Sequence, residues 1–249
     1  MLDLLINLML GLALGTLGGL FGIGGGLIAI PVLGVLFGLD QPLAQGTALV
    51  MVVPNVLLAL WRYHQRNRIV RRHAVTLAVP ALCFAWLASA WAVALDADAM
   101  RLGFVGFLLA LALYTLARLF RRPPPASAAL RQPWPWLGLL GAGSGLLGGV
   151  FGVGGAVLAT PVLTSVFGTS QLVAQGLSLA LAAPSTGITL ATYALHQQVD
   201  WLLGAPLAAG GLLSIGWGVR LAHALPERLL RGLFCGFLVL CAVLLAVKV

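Results

Sequence analysis

The chain is dominated by long apolar runs that contain almost no charged residue. They lie at about 2–39, 43–61, 74–95, 99–120, 134–168, 172–195, 201–222 and 227–247. Most approach the roughly 20 residues that a helix needs to cross the hydrocarbon core of a bilayer. Because 61% of the residues are hydrophobic and only 8% are charged, a water-soluble fold would lack the polar surface to cover itself. We therefore predict an all-α polytopic membrane protein and exclude a soluble enzyme, a DNA-binding domain and a disordered chain.

A glycine-rich motif occurs twice, at a constant offset of 130 residues. Residues 17–25 read LGGLFGIGG and residues 147–155 read LGGVFGVGG. The same offset pairs Pro31 with Pro161, Gln41 with Gln171, Gln45 with Gln175 and Pro54 with Pro184. Between residues 17–55 and 147–185, 19 of 39 positions are identical without a gap. We predict two homologous transmembrane repeats, 1–120 and 134–249, joined by a Pro/Ala-rich cytoplasmic linker at 121–133.

The relative orientation of the repeats depends on whether each glycine-rich run crosses once or turns back. Both runs have about 35 residues, which as straight helix would span roughly 50 Å, too long for one crossing. Single crossings give parallel repeats and place 10 of the 14 basic residues in the cytoplasm, whereas hairpins give inverted repeats and place 12 there. Basic residues favour the cytoplasmic side. We therefore favour inverted repeats, each with a glycine-broken helical hairpin plus three transmembrane helices, and leave open whether the hairpins span or re-enter the membrane.

The glycine clusters, which predict helix breaks at Gly18–Gly26 and Gly148–Gly155, are the first candidate for a substrate-binding site. Backbone that leaves a helix inside a membrane is tolerated where protein or a water-filled cavity satisfies it. Glycine allows positive φ and close approach of a ligand, and the next helix would direct its N-terminal N–H groups into the break, which suits an anion. The alternative is close helix packing through small residues. The candidate residues are Gly22, Gly24, Gly25, Gly26, Gly152, Gly154 and Gly155.

Polar residues in the helices that follow are the second candidate. Amide and hydroxyl donors suit an oxyanion that must be bound and then released, although such groups also form ordinary interhelical hydrogen bonds. We name as candidate substrate-binding residues Gln45, Gln175, Thr47, Ser178, Asn55 and Ser185. Prolines remove a helix hydrogen bond and expose a carbonyl, so a hinge or a static kink is expected at Pro31, Pro161, Pro54 and Pro184.

The acidic residues argue against a cation transporter. All six lie at the ends of apolar runs, whereas proton relays and cation sites usually use embedded carboxylates. His64 and His196, beside Tyr63 and Tyr193, are interpreted as interfacial residues, with a proton switch as the alternative. No catalytic constellation is present, so we expect no enzymatic activity, no cofactor and no metal.

The motif GxFGxGGG, followed by a proline and repeated in the second half, resembles the TauE/SafE family. It is carried by residues 17–33 with 44–49, and by residues 147–163 with 174–179. The resemblance covers essentially the whole chain and implies a bacterial membrane permease that exports sulfite or organosulfonates. Each half keeps one of the two hydroxyls of the family's second motif, Thr47 and Ser178, so the resemblance implies an anion permease more firmly than sulfite.

Our leading hypothesis is a secondary transporter that exports a small anion across the bacterial inner membrane as a multi-pass protein. A non-transporting assembly or anchoring subunit and an anion channel are the alternatives. The expected partners are a small anionic substrate and the lipid bilayer, with a homodimer left open and no nucleic acid.

Overall fold

The computed structural model describes residues 2–66, 69–119 and 132–246, and the regular structure within them is helical. Its ten helices are α1 Leu2–Phe21, α2 Gly26–Phe37, α3 Gln41–Arg66, α4 Arg71–Ala92, α5 Ala97–Leu119, α6 Trp136–Phe151, α7 Ala156–Ser165, α8 Gln171–Leu195, α9 Trp201–Ala224 and α10 Glu227–Ala246. The predicted linker 121–133 lies outside the described residues except for its last two.

The surface of the helices is apolar, as a bilayer requires. Six helices of the described part are long and apolar enough to cross a membrane, namely α1, α3, α4, α5, α8 and α9. Leucines point outward, with Leu202 89% and Leu195 83% exposed, and exposed tryptophans begin α6 and α9, as is common at membrane interfaces. The protein is therefore a polytopic α-helical membrane protein.

Each overlong apolar run is divided into two helices by a short glycine-rich segment. The first break comprises residues 22–25, between α1 and α2, and the second break comprises residues 152–155, between α6 and α7. Both breaks begin later than the glycine clusters do, because Gly18, Gly19, Gly148 and Gly149 still belong to helices. These four glycines pack against backbone: a Cβ on Gly149 would lie 2.4 Å from the carbonyl oxygen of Ala85. Gly19 and Gly149 face the neighbouring helices α9 and α4, whereas Gly18 and Gly148 contact the backbone of Gly25 and Gly155 in the adjacent break.

Small residues let two pairs of helices approach closely. Helix α1 packs along α9, and α6 packs along α4. On α1 the contacts are made by Gly11, Gly15 and Gly19, and on α6 by Gly141, Gly145 and Gly149, in each case one helical turn apart. Helices α3 and α8 contact each other; α2 packs against α3, and α7 packs against α8. Both breaks are therefore held beside α3 and α8.

Candidate functional site

Both breaks are built from glycines in left-handed backbone conformations. In the first break φ is +67° at Gly22, +72° at Gly24 and +94° at Gly25. In the second break Gly152, Gly154 and Gly155 have φ of +66°, +67° and +75°. Residues with a Cβ rarely adopt such angles. This sequence of conformations ends one helix and starts the next, and every residue of both breaks is buried.

Each break contacts a buried glutamine from the other half of the chain. A Cβ on Gly22 would lie 2.8 Å from Cβ of Gln175, and one on Gly152 would lie 3.0 Å from Cβ of Gln45. Gln45 is 0% exposed and Gln175 is 1% exposed. The structure therefore brings together the glycines and the glutamines that the sequence singled out separately.

Two tyrosines, which the sequence analysis interpreted only as neighbours of interfacial histidines, hold these glutamines. The hydroxyl of Tyr63 donates to Oε1 of Gln175 over 2.8 Å, and the hydroxyl of Tyr193 donates to Oε1 of Gln45 over the same distance. Both tyrosines are 0% exposed. Their numbers differ by 130, so the offset that paired the glutamines could also have identified them.

The middle of each break is tied to the following long helix. The side-chain amide of Asn55 donates to the carbonyl oxygen of Gly24 over 3.3 Å. In the same way, the hydroxyl oxygen of Ser185 lies 3.0 Å from the carbonyl oxygen of Gly154. The first residue of α2, directly after the first break, also approaches the second break, because a Cβ on Gly26 would lie 3.8 Å from the carbonyl oxygen of Gly152. Both breaks thus form one buried region between α3 and α8.

The two glutamine amides differ in their free hydrogen-bonding capacity. Nε2 of Gln175 donates to the carbonyl oxygen of Leu20 over 3.2 Å. Nε2 of Gln45 has no hydrogen-bond partner among the described residues, and neither has Oδ1 of Asn55. Buried polar groups are nearly always paired. The open donor on Gln45 is therefore available to a bound solute or to an ordered water molecule.

A polar pocket of about 230 Å³ lies at the start of α3, one helical turn from Gln45. Its lining includes Asp40, Gln41, Asp98 and Arg101. Arg101 forms an ion pair of 3.0 Å with Asp98. Nε2 of Gln41 is a second buried donor with no partner in the described part of the chain. Because residues four apart share a helix face, Gln41 and Gln45 lie one above the other.

The other candidate residues have different neighbours. Thr47 accepts a hydrogen bond of 3.0 Å from the backbone N–H of Asp200 at the start of α9, and Ser178 accepts one of 2.9 Å from Thr160 on α7. Both therefore link helices. The four prolines lie within helices: Pro31 in α2, Pro161 in α7, Pro54 in α3 and Pro184 in α8. A hinge at any of them stays a prediction.

A multi-pass helical bundle with paired breaks at its centre is the class of protein that this geometry defines. The sequence profile described as Sulfite exporter TauE/SafE matches residues 7–245. The chain belongs to this family, as its motifs predicted.

Curated relatives agree with this assignment. A probable membrane transporter protein of Xylella fastidiosa strain 9a5c is 31% identical over 86% of this chain and 81% of its own length. A protein with the same description from strain Temecula1 is 32% identical over 87% and 82%. A third, from Methanocaldococcus jannaschii, is 29% identical over 66% and 61%. The family and these relatives indicate a membrane transporter rather than an enzyme.

Proposed function

We propose that the protein is a secondary transporter that exports a small anion, such as sulfite, a sulfonate or a related oxyanion, across the bacterial inner membrane. The observation that carries this proposal is the buried amide of Gln45, whose nitrogen has no acceptor among the residues that the structure describes. It lies beside the second break, and Gln41 offers a second open donor one turn closer to the polar pocket. The two amides provide successive donors for one ligand.

The chemistry of the two breaks favours an anion over a cation. All six acids lie in the first turn of a described helix or just before it: Asp3 in α1, Asp40 before α3, Asp96 and Asp98 at the start of α5, Asp200 before α9 and Glu227 in α10. The breaks precede the N-termini of α2 and α7, where unpaired N–H groups and the helix dipole favour negative charge. Neutral donors bind an oxyanion without the strong attraction of a buried charge, so release remains fast.

The same proposal includes inverted repeats. The repeat itself is supported by contacts that recur at an offset of 130: Tyr63–Gln175 with Tyr193–Gln45, Asn55–Gly24 with Ser185–Gly154, and the α1–α9 packing with the α6–α4 packing. The inverted orientation rests on the distribution of basic residues. The two halves then form equivalent gates that face opposite sides of the membrane. Because the breaks are buried, the surrounding helices must move before a solute can reach either one.

Ligand-dependent stability tests this function directly. The detergent-purified protein is heated with sulfite, sulfate, thiosulfate or a small sulfonate. We expect at least one anion to stabilise it, by about 2.7 kcal/mol at 100 times its dissociation constant. If none of the anions stabilises the protein and none is transported by proteoliposomes, it is a non-transporting membrane subunit or takes a different solute. Flux that does not saturate would instead indicate a channel.

Replacement of the open donor is the sharper test. Gln45→Glu keeps the size of the side chain and an acceptor for Tyr193 but replaces the amide donor with an oxygen. We expect the affinity for the anion to fall at least tenfold, roughly 1.4 kcal/mol, in the same thermal titration. Gln65→Glu, on the exposed surface of α3, is the matched control and should bind as the parent does. An anion affinity that Gln45→Glu leaves unchanged or increases would overturn the role of the Gln45 amide as a donor to the anion.

A further inference from the structure

Each of the two buried tyrosines links three helices: its own helix and the two helices that carry its hydrogen-bond partners. Besides the glutamine, the hydroxyl oxygen of Tyr63 lies 3.2 Å from the carbonyl oxygen of Gly19, and that of Tyr193 lies 3.2 Å from that of Val150. Both carbonyls belong to the last turn before a break. Each tyrosine therefore connects the end of α3 or α8 with the start of the opposite helix and with the edge of a break.

These contacts fix which way the glutamine amides point. A hydroxyl hydrogen directed at Oε1 favours the orientation in which that oxygen faces the tyrosine, and Nε2 then points away from it. At Gln175 the hydrogen bond from Nε2 to the carbonyl oxygen of Leu20 also favours this orientation of the amide. At Gln45 the tyrosine is the only side chain that holds the amide, because Nε2 has no partner in the described residues.

We propose that Tyr63 and Tyr193 are positioning residues of the transport site, which keep the donor end of each glutamine amide directed at the anion. The inference rests on the proposed function. Without the hydroxyl, the amide of Gln45 can rotate by half a turn and present its oxygen to the anion, which repels it. Tyr193 is the more important of the two, since Gln175 retains its bond to Leu20 when Tyr63 is changed.

The test compares three Tyr→Phe variants in proteoliposomes, with sulfite, sulfate, thiosulfate and a small sulfonate as probes. For an anion that the parent protein transports, we expect Tyr193→Phe to raise KM at least tenfold while the maximal rate changes less than threefold. Tyr63→Phe should raise KM by a smaller factor. Tyr114→Phe is the matched control, because Tyr114 hydrogen-bonds to Ser165 away from the breaks, and its KM should equal that of the parent.

A double variant separates positioning from folding. Tyr193→Phe leaves Oε1 of Gln45 without its donor, and this can destabilise the protein. Replacing both partners of a buried hydrogen bond with apolar groups is far less costly, so Gln45→Met/Tyr193→Phe should fold. If Tyr193 acts through the amide, Gln45→Met and the double variant share the same raised KM.

The outcomes distinguish this inference from the function on which it depends. An unchanged KM in Tyr193→Phe, or a further rise in KM when Tyr193→Phe is added to Gln45→Met, overturns the positioning role while transport by the parent still supports the function. A fall in the maximal rate alone, with KM unchanged, also overturns it, since that pattern indicates gating. Absence of saturable flux in the parent overturns both.

Discussion

At the scale of single residues, glycines of this chain serve two separate purposes. Gly155 has a φ of +75°, and a Cβ there would lie 2.2 Å from the carbonyl oxygen of Ser144. Gly187, in the middle of α8, has open space where a Cβ would be placed. At Gly155 both the backbone conformation and the contact with a neighbouring backbone oppose any side chain. At Gly187 there is room for a Cβ.

We therefore predict opposite effects for two Gly→Ala substitutions. Gly155→Ala should destabilise the protein by about 1–3 kcal/mol, because the strained conformation and the contact with a fixed backbone both oppose the methyl group. Gly187→Ala should be neutral or stabilising by up to about 1 kcal/mol through helix propensity. Thermal unfolding of the purified variants measures both. Equal midpoints would show that the second break tolerates a Cβ.

At the scale of helices, α1 packs backbone to backbone on α9, and α6 packs in the same way on α4. A Cβ on Gly145 would lie 2.3 Å from the carbonyl oxygen of Ala81, whereas Gly143, two residues earlier, has nothing within 4 Å. Lipid provides little hydrophobic drive for helix association, so van der Waals packing at such small residues dominates. The packing of α6 on α4 therefore depends on Gly141, Gly145 and Gly149, the three glycines of α6 that face α4.

Valine substitutions on α6 test this packing. Gly145→Val should push α6 away from α4 and cost about 1–3 kcal/mol, the range for overpacked interiors. Gly143→Val introduces the same side chain on the open face and should leave the unfolding midpoint within error of the parent. A comparison of the two midpoints in the same detergent is sufficient. Similar losses in both variants would attribute the effect to valine itself rather than to the helix interface.

The sequence predicted the breaks because only glycine combines positive φ with close backbone approach, and both features recur at one offset. It misplaced their starts, because a glycine in a break and a glycine in a helix interface have the same letter. Tyr63 and Tyr193 were overlooked because a tyrosine near a helix end is typical of a membrane interface. The contacts of Thr47 with Asp200 and of Ser178 with Thr160 were unpredictable, since their partners come from other helices.

At the scale of the whole molecule, the inverted arrangement assigns every loop to one side of the membrane. It places both termini and the α8–α9 loop in the periplasm, and it places residues 62–73, the linker 121–133 and residues 223–231 in the cytoplasm. The parallel arrangement reverses both termini, the α8–α9 loop and the α9–α10 loop but not residues 62–73. One labelled position in the α8–α9 loop and one in the α9–α10 loop are therefore enough to distinguish the inverted from the parallel arrangement.

We predict that cysteine labelling supports the inverted arrangement. In a background without native cysteines, His196→Cys should react with a membrane-impermeant thiol reagent applied outside intact cells, and His223→Cys should react only after the membrane is opened. The reason is the charge distribution, with 12 of 14 basic residues inside. Reaction of His223→Cys, but not of His196→Cys, in intact cells would restore the parallel arrangement.

The unequal hydrogen bonding of the two glutamine amides has a kinetic consequence for a passive carrier. If the two breaks act as the proposed gates, one gate offers at Gln45 a donor without a partner among the described residues, whereas the other offers a donor already bonded to Leu20. The half-saturation concentrations on the two faces should then differ. Detailed balance nevertheless requires the ratio of maximal rate to half-saturation concentration to be the same in both directions at zero voltage. The face that binds more weakly must then turn over faster at saturation, so the molecule is an asymmetric carrier without being a one-way valve.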